Sequence, residues 1–290
     1  MTAAIAQTTT TTDGTIGSSS TLRHAMISEW RKTSTIRSPW IVTGIVTLLA
    51  AAVSGLATFF GQRAINDGVA ADEEVLLGAI SGLPIASYLG VIAIVIVGAL
   101  IGSGDFQHQT VVPTLLQQPK RWKFLAAKIG FTVAASSALA LVLVAVTMAA
   151  AFVVSPEIGE FRPFFAEGTN PDSVEALGLF ELLPIVIGHL TLAGLFGMAL
   201  GWATRSTAFA VSGFFVLRFV ELTVAGLGFV SHWASNLLPF RAGDRLLPYV
   251  VNDADPGRLG STTASAGVYI SVIAVLALVG VVRTYRQDID

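Results

Sequence analysis

Polar and apolar positions in this chain alternate on the scale of whole segments rather than single residues. Charge-free runs extend from Ser38 to Gln62, Val75 to Gly104, Ile129 to Pro156, Leu182 to Thr204 and Leu259 to Val282. A further apolar stretch, Thr207 to Val230, is interrupted only by Arg218 and Glu221. A helix needs about 20 residues to cross a hydrocarbon core of roughly 30 Å, and each stretch is long enough. No water is available there to the backbone, so helices are the economical way to pair its polar groups. The pattern predicts an all-α membrane protein with six transmembrane helices, over about 38–60, 80–103, 129–154, 180–203, 207–230 and 266–283.

Composition agrees. Of 290 residues, 53% are hydrophobic and 12% charged, about half the charged share of soluble domains. With no cysteine, neither a disulfide framework nor a thiolate metal site is available. The net charge of −2 says little; its distribution says more. With the N-terminus placed in the cytoplasm, the cytoplasmic segments hold eleven basic residues: Arg23, Arg31, Lys32, Arg37, Lys120, Arg121, Lys123, Lys128, Arg205, Arg283 and Arg286. The external segments then hold five: Arg63, Arg162, Arg241, Arg245 and Arg258. This is a positive-inside bias. It predicts a multi-pass protein of the cell membrane with both termini cytoplasmic.

Residues 1–20 are Thr/Ser-rich, with Asp13 as the single charge, and such a segment buries too little apolar area to offset its ordering entropy. It reads as a disordered cytoplasmic tail ahead of a transmembrane domain over 21–290. The basic start and short apolar core of a cleaved signal peptide are missing. In Thr21–Lys32, Thr21 is a candidate N-cap, and Leu22, Ala25, Met26 and Trp30 share one helical face. That predicts an N-terminal interfacial helix on the inner leaflet, before Pro39 opens the first span.

The most informative polar segment runs from Asp105 to Lys128. Thr110 is placed to cap a short helix through Gln117, with Pro113 in its first turn and Pro119 ending it. Lys120, Arg121, Lys123 and Lys128 then fall at lipid headgroups. A short rigid helix projecting from two spans suits transmission of force from a soluble partner.

At these residues the chain resembles the membrane permease subunits of ATP-binding-cassette (ABC) exporters of the type-2 superfamily. After the second span those proteins carry acid, aromatic, Arg, any, Gly, Thr, then Pro-x-Arg and a Lys opening the third span. Asp105, Phe106, Thr110, Pro119, Arg121 and Lys128 stand at matching places, with Gln107 and Gln109 where Arg and Gly are usual. Glu29, Lys32 and Arg37-Ser-Pro39 are similar to the family's leading helix, and Arg205-Ser-Thr207 to its second cytoplasmic turn. Glu221, Leu238-Pro-Phe240 and Arg241–Leu247 are similar to its external hairpin and return. The resemblance implies an exporter permease of two copies, or this chain with a paralogue, over a cytoplasmic ABC ATPase. The coupling segment would comprise Asp105, Phe106, Thr110, Leu115, Pro119 and Arg121.

The chain has no Gly-x-x-x-x-Gly-Lys-Ser/Thr loop to cradle a nucleotide. It is expected to be no enzyme and to hold no cofactor of its own, ATP being bound on the partner subunit. Neither a metal site nor a Gly-x-Ser-x-Gly elbow is legible, and the basic residues track the membrane face rather than a nucleic-acid groove. The alternative is an ATPase-independent carrier or an assembly scaffold in the bilayer. No internal similarity between 38–128 and 129–283 marks the repeats common in carriers.

Charges inside spans are functional candidates by default. Arg218 lies about 11 residues into the fifth span and Glu221 follows at i+3, the spacing of neighbours on one helical face. Each central charge costs about 2.5–3.5 kcal/mol on insertion scales, so the two are expected to pair, either as a structural ion pair or in a gating or substrate role. His189 in the fourth span is expected to be a hydrogen-bonded packing residue, with a proton or substrate site as the second reading. Gly194, Gly197 and Gly201 form a small-residue face for close helix approach. Pro84 and Pro184 are candidate kinks.

Overall fold

The structure, a computed structural model, describes residues 22–67, 83–107, 121–154, 179–226, 237–247 and 262–286. Among them no strand occurs. The helices are α1 (Leu22–Thr35), α2 (Arg37–Asn66), α3 (Leu83–Gln107), α4 (Arg121–Val154), α5 (Leu179–Thr204), α6 (Thr207–Gly226), α7 (Pro239–Asp244) and α8 (Thr262–Arg286). Six of them, α2 to α6 and α8, contain stretches long and apolar enough to cross a bilayer, the architecture of a multi-pass membrane protein.

The boundaries differ from the expected spans where charge was taken to mark an end. The second span continues past Gly104, so Asp105 lies inside α3. The third begins at Arg121, eight residues before the predicted 129, and its basic run forms the first two turns of α4. Lysine and arginine are good helix formers, and a long apolar helix extends into them without interruption.

The core is built around α3 and α5. More than half of each is enclosed by protein, against less than a third of the other four spans. Sequence explains this centrality. On α3, a Cβ at Gly98 would collide with the Gly194 carbonyl, and one at Gly102 with the Met198 carbonyl. On α5, Gly197 abuts the Val95 carbonyl and Gly201 the Ala99 carbonyl. Backbone therefore meets backbone over two turns, the close approach that small residues permit in membranes. Small hydroxyls tie the surrounding helices to this pair: Ser54 donates to the Thr147 carbonyl between α2 and α4 (2.9 Å), and Ser137 and Thr191 bond between α4 and α5 (2.9 Å).

Two short elements complete the bundle. At one end α1 packs on α4. Among its described side chains the buried one is Glu29, while Trp30 is 52% exposed and meets Trp40 and Phe131 edge-on, and Met26 lies beside Gly130 of α4. In the other half α7, expected as part of an external hairpin, is inserted among the helices. Phe240 is buried against Phe196 of α5 and Phe214 of α6, with centroids 5.0 and 5.1 Å apart, and Tyr269 of α8 stacks on Phe196. Backbone that does not span a membrane is tolerated at such depth where protein surrounds it.

Candidate functional site

Polar side chains gather at two places. The first is a charged clamp where α1, α3 and α4 meet. Asp105 ends a charge-free run and Lys128 precedes another; antiparallel packing of α3 and α4 brings them together. Lys128 Nζ is hydrogen-bonded to Asp105 Oδ2 and lies 3.7 Å from Glu29 Oε2. Lys32 donates to Glu29 Oε1 at 2.8 Å and to Asp105 Oδ1 at 3.1 Å. Two ammonium groups thus meet two carboxylates in a neutral network, with Lys128 2% and Asp105 4% exposed. Burial works against the Lys32 ammonium, but the hydrogen bond and charge of Glu29, then Asp105, outweigh it and hold its pKa above the usual lysine value.

Lys128 was expected at the lipid headgroups; the structure buries it instead, with the ammonium 5.3 Å from the centre of the Phe124 ring. The reason is pairing: two carboxylates compensate its desolvation, which headgroups need not then do. Beside Asp105, the Phe106 ring receives the Arg205 guanidinium at 5.1 Å. Arg205 closes α5 in a left-handed conformation (φ 58°), its N–H bonded to the Gly201 carbonyl at 2.9 Å, a helix-ending motif usually given to glycine. Arg283 of α8 donates to the Ala203 carbonyl at 2.6 Å. The clamp joins α1, α3 and α4, and the Phe106–Arg205 contact sets it beside the end of α5. Thr110, Leu115, Pro119 and the expected short helix lie outside the described residues; of Arg121 only the backbone, in α4, is described.

The second cluster is a polar node in the opposite half of the bundle. Arg218 does not pair with Glu221. Its ion-pair partner is Asp244 of α7 at 2.6 Å, and its guanidinium sits 5.6 Å from the Phe240 ring centre. Glu221 instead accepts the Phe240 N–H (3.1 Å to Oε2, 3.2 Å to Oε1) and the Arg241 N–H (3.2 Å). The physical reason is that a helix leaves its first N–H groups without internal partners. At membrane depth those donors need an acceptor, and Leu238 supplies no side-chain cap. The insertion of α7 brings its own acid for Arg218 and its own donors for Glu221.

His189 departs from expectation as well. It is 4% exposed, yet neither imidazole nitrogen makes a hydrogen bond of normal geometry, although the ring lies near the Gly243 backbone and in the field of Arg218. Tyr88 of α3 and Tyr269 of α8 lie in the fields of Asp244 and Arg218. Asp244 and Tyr88 escaped the sequence reading. Asp244 had a signal, as the single acid in the segment 238–247; Tyr88, one hydroxyl in an apolar run, had none.

Among the described residues no group of three or more potential metal ligands occurs. No family model, curated protein or solved structure matches the chain.

Proposed function

We propose that this chain is the membrane permease subunit of an ATP-driven exporter, coupled to a separate cytoplasmic ABC ATPase through the segment between α3 and α4. The clamp is the observation that carries this reading. Four charges at one end of the bundle, three of them buried, tie α1 to the two helices that bracket residues 108–120. A force applied to that segment would reach Asp105 within three residues on one side and Lys128 within eight on the other. From there it would pass to α1 by the ion pairs and to the α5–α6 turn through Phe106 and Arg205. The resemblance around Asp105, Phe106, Pro119, Arg121 and Lys128 and the excess of basic residues at this end support a cytoplasmic clamp, with α1 at the inner interface and both termini inside the cell membrane. A second permease copy or paralogue completes the assembly.

The test is co-purification from membranes with ATPase activity as readout. Wild type should bring down an ABC ATPase. Leu115→Pro, which a short helix does not tolerate in its interior, should insert normally but lose coupled hydrolysis. Unchanged recovery and unchanged coupled activity in that variant would overturn the reading.

A further inference from the structure

The outward side of α1 and the start of α2 carry two cations that the clamp does not use. Met26, Glu29 and Lys32 of α1 turn inward, toward Gly130, Lys128 and Asp105 respectively. Ile27, Trp30, Arg31 and Ser34, at spacings of three and four, form the opposite face, and all four are exposed. Arg37, which opens α2, is exposed as well. Glu29 and Asp105 are engaged by Lys32 and Lys128, and neither Arg31 nor Arg37 has an acidic partner among the described residues. The clamp is neutral within itself, so this rim is left with two unpaired guanidinium groups.

Two lengths fix the level of that rim. The charge-free run Ser38–Gln62 rises about 37 Å along α2 at 1.5 Å per residue, somewhat more than the roughly 30 Å of a hydrocarbon core. Arg37 and Arg63 therefore fall at opposite headgroup layers. Were α1 a straight continuation of α2, Trp30 would stand about 15 Å from Trp40 along the axis. The chain instead breaks at Ile36. The two indoles meet edge-on with centroids 6.1 Å apart, and Trp30 lies 6.4 Å from the Phe131 ring of α4. That returns α1 to the level of Trp40, the interfacial depth that tryptophan favours, and places Arg31 at the same rim as Arg37. From there toward the bilayer centre α2 presents Ile41, Ile45 and Leu48, 56%, 60% and 72% exposed, in line with Arg37 at helical spacing.

We propose that this corner of α1 and α2 is a seat for anionic phospholipid. Arg31 and Arg37 take phosphate-bearing headgroups, Trp30 and Trp40 line the interface, and acyl chains run along Ile41, Ile45 and Leu48. The planar guanidinium fork matches phosphate oxygens. Charge selects the lipid: phosphatidylcholine brings a cation with its phosphate and phosphatidylglycerol brings none, so two unpaired guanidinium groups favour the second. Lipid held there bears on the face of α1 opposite Glu29 and Lys32, so the bilayer retains the helix from outside while the clamp retains it from inside. The seat needs a bilayer and no ATPase, and its failure would leave the coupling reading untouched.

The test places the full chain in bilayer discs of phosphatidylcholine alone, or of phosphatidylcholine and phosphatidylglycerol in equal parts, and follows amide exchange of α1. Native mass spectrometry of the chain released from the mixed discs counts the phosphatidylglycerol it retains. Wild type should keep the anionic lipid, and its α1 should exchange more slowly in the mixed discs than in phosphatidylcholine. Arg31→Gln and Arg37→Gln should each weaken retention by about 5-fold, which corresponds to roughly 1 kcal/mol per basic residue near an anionic surface. The double variant should erase the difference between the two discs. Arg63→Gln is the control: that side chain, 69% exposed at the other end of α2, lies 3.8 Å from Asp67, and its loss should leave both readouts at wild-type values. Equal protection of wild-type α1 in the two discs, or an equal loss of lipid from Arg63→Gln, would overturn the seat. So would a double variant that retains as much phosphatidylglycerol as wild type; loss of a co-purifying protein from that variant would then give the face to an acidic protein surface instead.

Discussion

Consider Lys128→Met, which keeps the side-chain length and removes the ammonium. Asp105 and Glu29 would then share Lys32, which is 2.8 Å from one and 3.1 Å from the other but itself one-third exposed. A site that held two charges of each sign would hold one positive and two negative, in a place where Asp105 is 4% exposed. Stranding one partner of a buried pair costs about 3–5 kcal/mol, and because Lys32 remains, the lower end applies, about 3 kcal/mol. At roughly 2–4 °C per kcal/mol for larger domains, the loss corresponds to roughly 6–12 °C in Tm. Asp105→Asn should be destabilising by a similar amount through the opposite imbalance. The double variant leaves Lys32 with Glu29 and restores neutrality, so it should be more stable than the sum of the two single losses by about 0.5–3 kcal/mol, the range for residues in one network. The assay is the fraction of monodisperse protein after heating in a mild detergent. Single variants within 2 °C of wild type would mean that the clamp is wet, and strictly additive losses would mean that the four charges do not form one network.

Glu221→Ala should cost about 1–3 kcal/mol for each of the two N–H groups it strands, and Glu221→Gln less, because an acceptor oxygen remains; equal stability of the alanine variant in a detergent melt would refute the α7 latch. Gly197→Ala should lower Tm, since overpacking costs about 1–3 kcal/mol, whereas Gly188→Ala, with nothing within 4 Å of its new Cβ, should be neutral or gain up to about 1 kcal/mol; the opposite order would refute the backbone seam. Because Lys32 is raised above the ordinary 10.5, its contribution is complete below that value and is lost as pH rises through the higher folded value. Hydrogen exchange of α1 should therefore show protection unchanged through neutral pH and loosening only in strong alkali; loosening near neutrality would refute it. Cysteines introduced at Ser19 and Gln287 should resist an impermeant thiol reagent on intact cells while one at Asn170 reacts, and labelling of either terminus would refute the cytoplasmic assignment.

Much of the architecture was legible because segment-scale apolarity is unambiguous. Six charge-free or nearly charge-free stretches became six membrane-length helices, and the small-residue face from Gly194 to Gly201 became the seam against α3. What failed was local assignment of charge. Asp105 and Lys128 looked like edges of spans, because a sequence shows distance along the chain and not the antiparallel contact that lets each neutralise the other. Arg218 and Glu221 looked like partners because i+3 neighbours on one helix are visible in sequence, whereas the insertion of α7 between them and their surroundings is not. Their true partners lie 26 positions from Arg218 and 19 and 20 positions from Glu221. The same blindness hid the bonding state of His189. Burial was foreseen from its apolar neighbours Ile187, Leu190 and Leu192, but whether a partner waits inside the bundle depends on which element fills the space beside it.

The seam gives the two polar clusters a physical connection. Asp105 follows Gly102 by three residues, less than one turn from where α3 lies directly on α5; His189 precedes Gly194 by five on α5, and Tyr88 precedes Gly98 by ten on α3. From Gly98 to Gly102 the two backbones touch directly, whereas nearer the node the Leu190 side chain lies against Gly90; a displacement of α3 at the clamp is passed to α5 through a close-packed seam. Spatial continuity by itself does not establish coupling. Coupling requires that the clamp and the node bias each other, and linkage makes that reciprocal. A charge imbalance at the clamp, as in Asp105→Asn, should then change the hydrogen-exchange protection of α7 at the node in the purified chain, although the two clusters share no residue. Opening the seam with Gly197→Ala should abolish that effect while leaving each cluster's own contacts in place. If Asp105→Asn leaves the protection of α7 as it was, the clamp serves to dock α1 and the seam serves to pack the bundle, and any signal between the ends must travel through α6 instead.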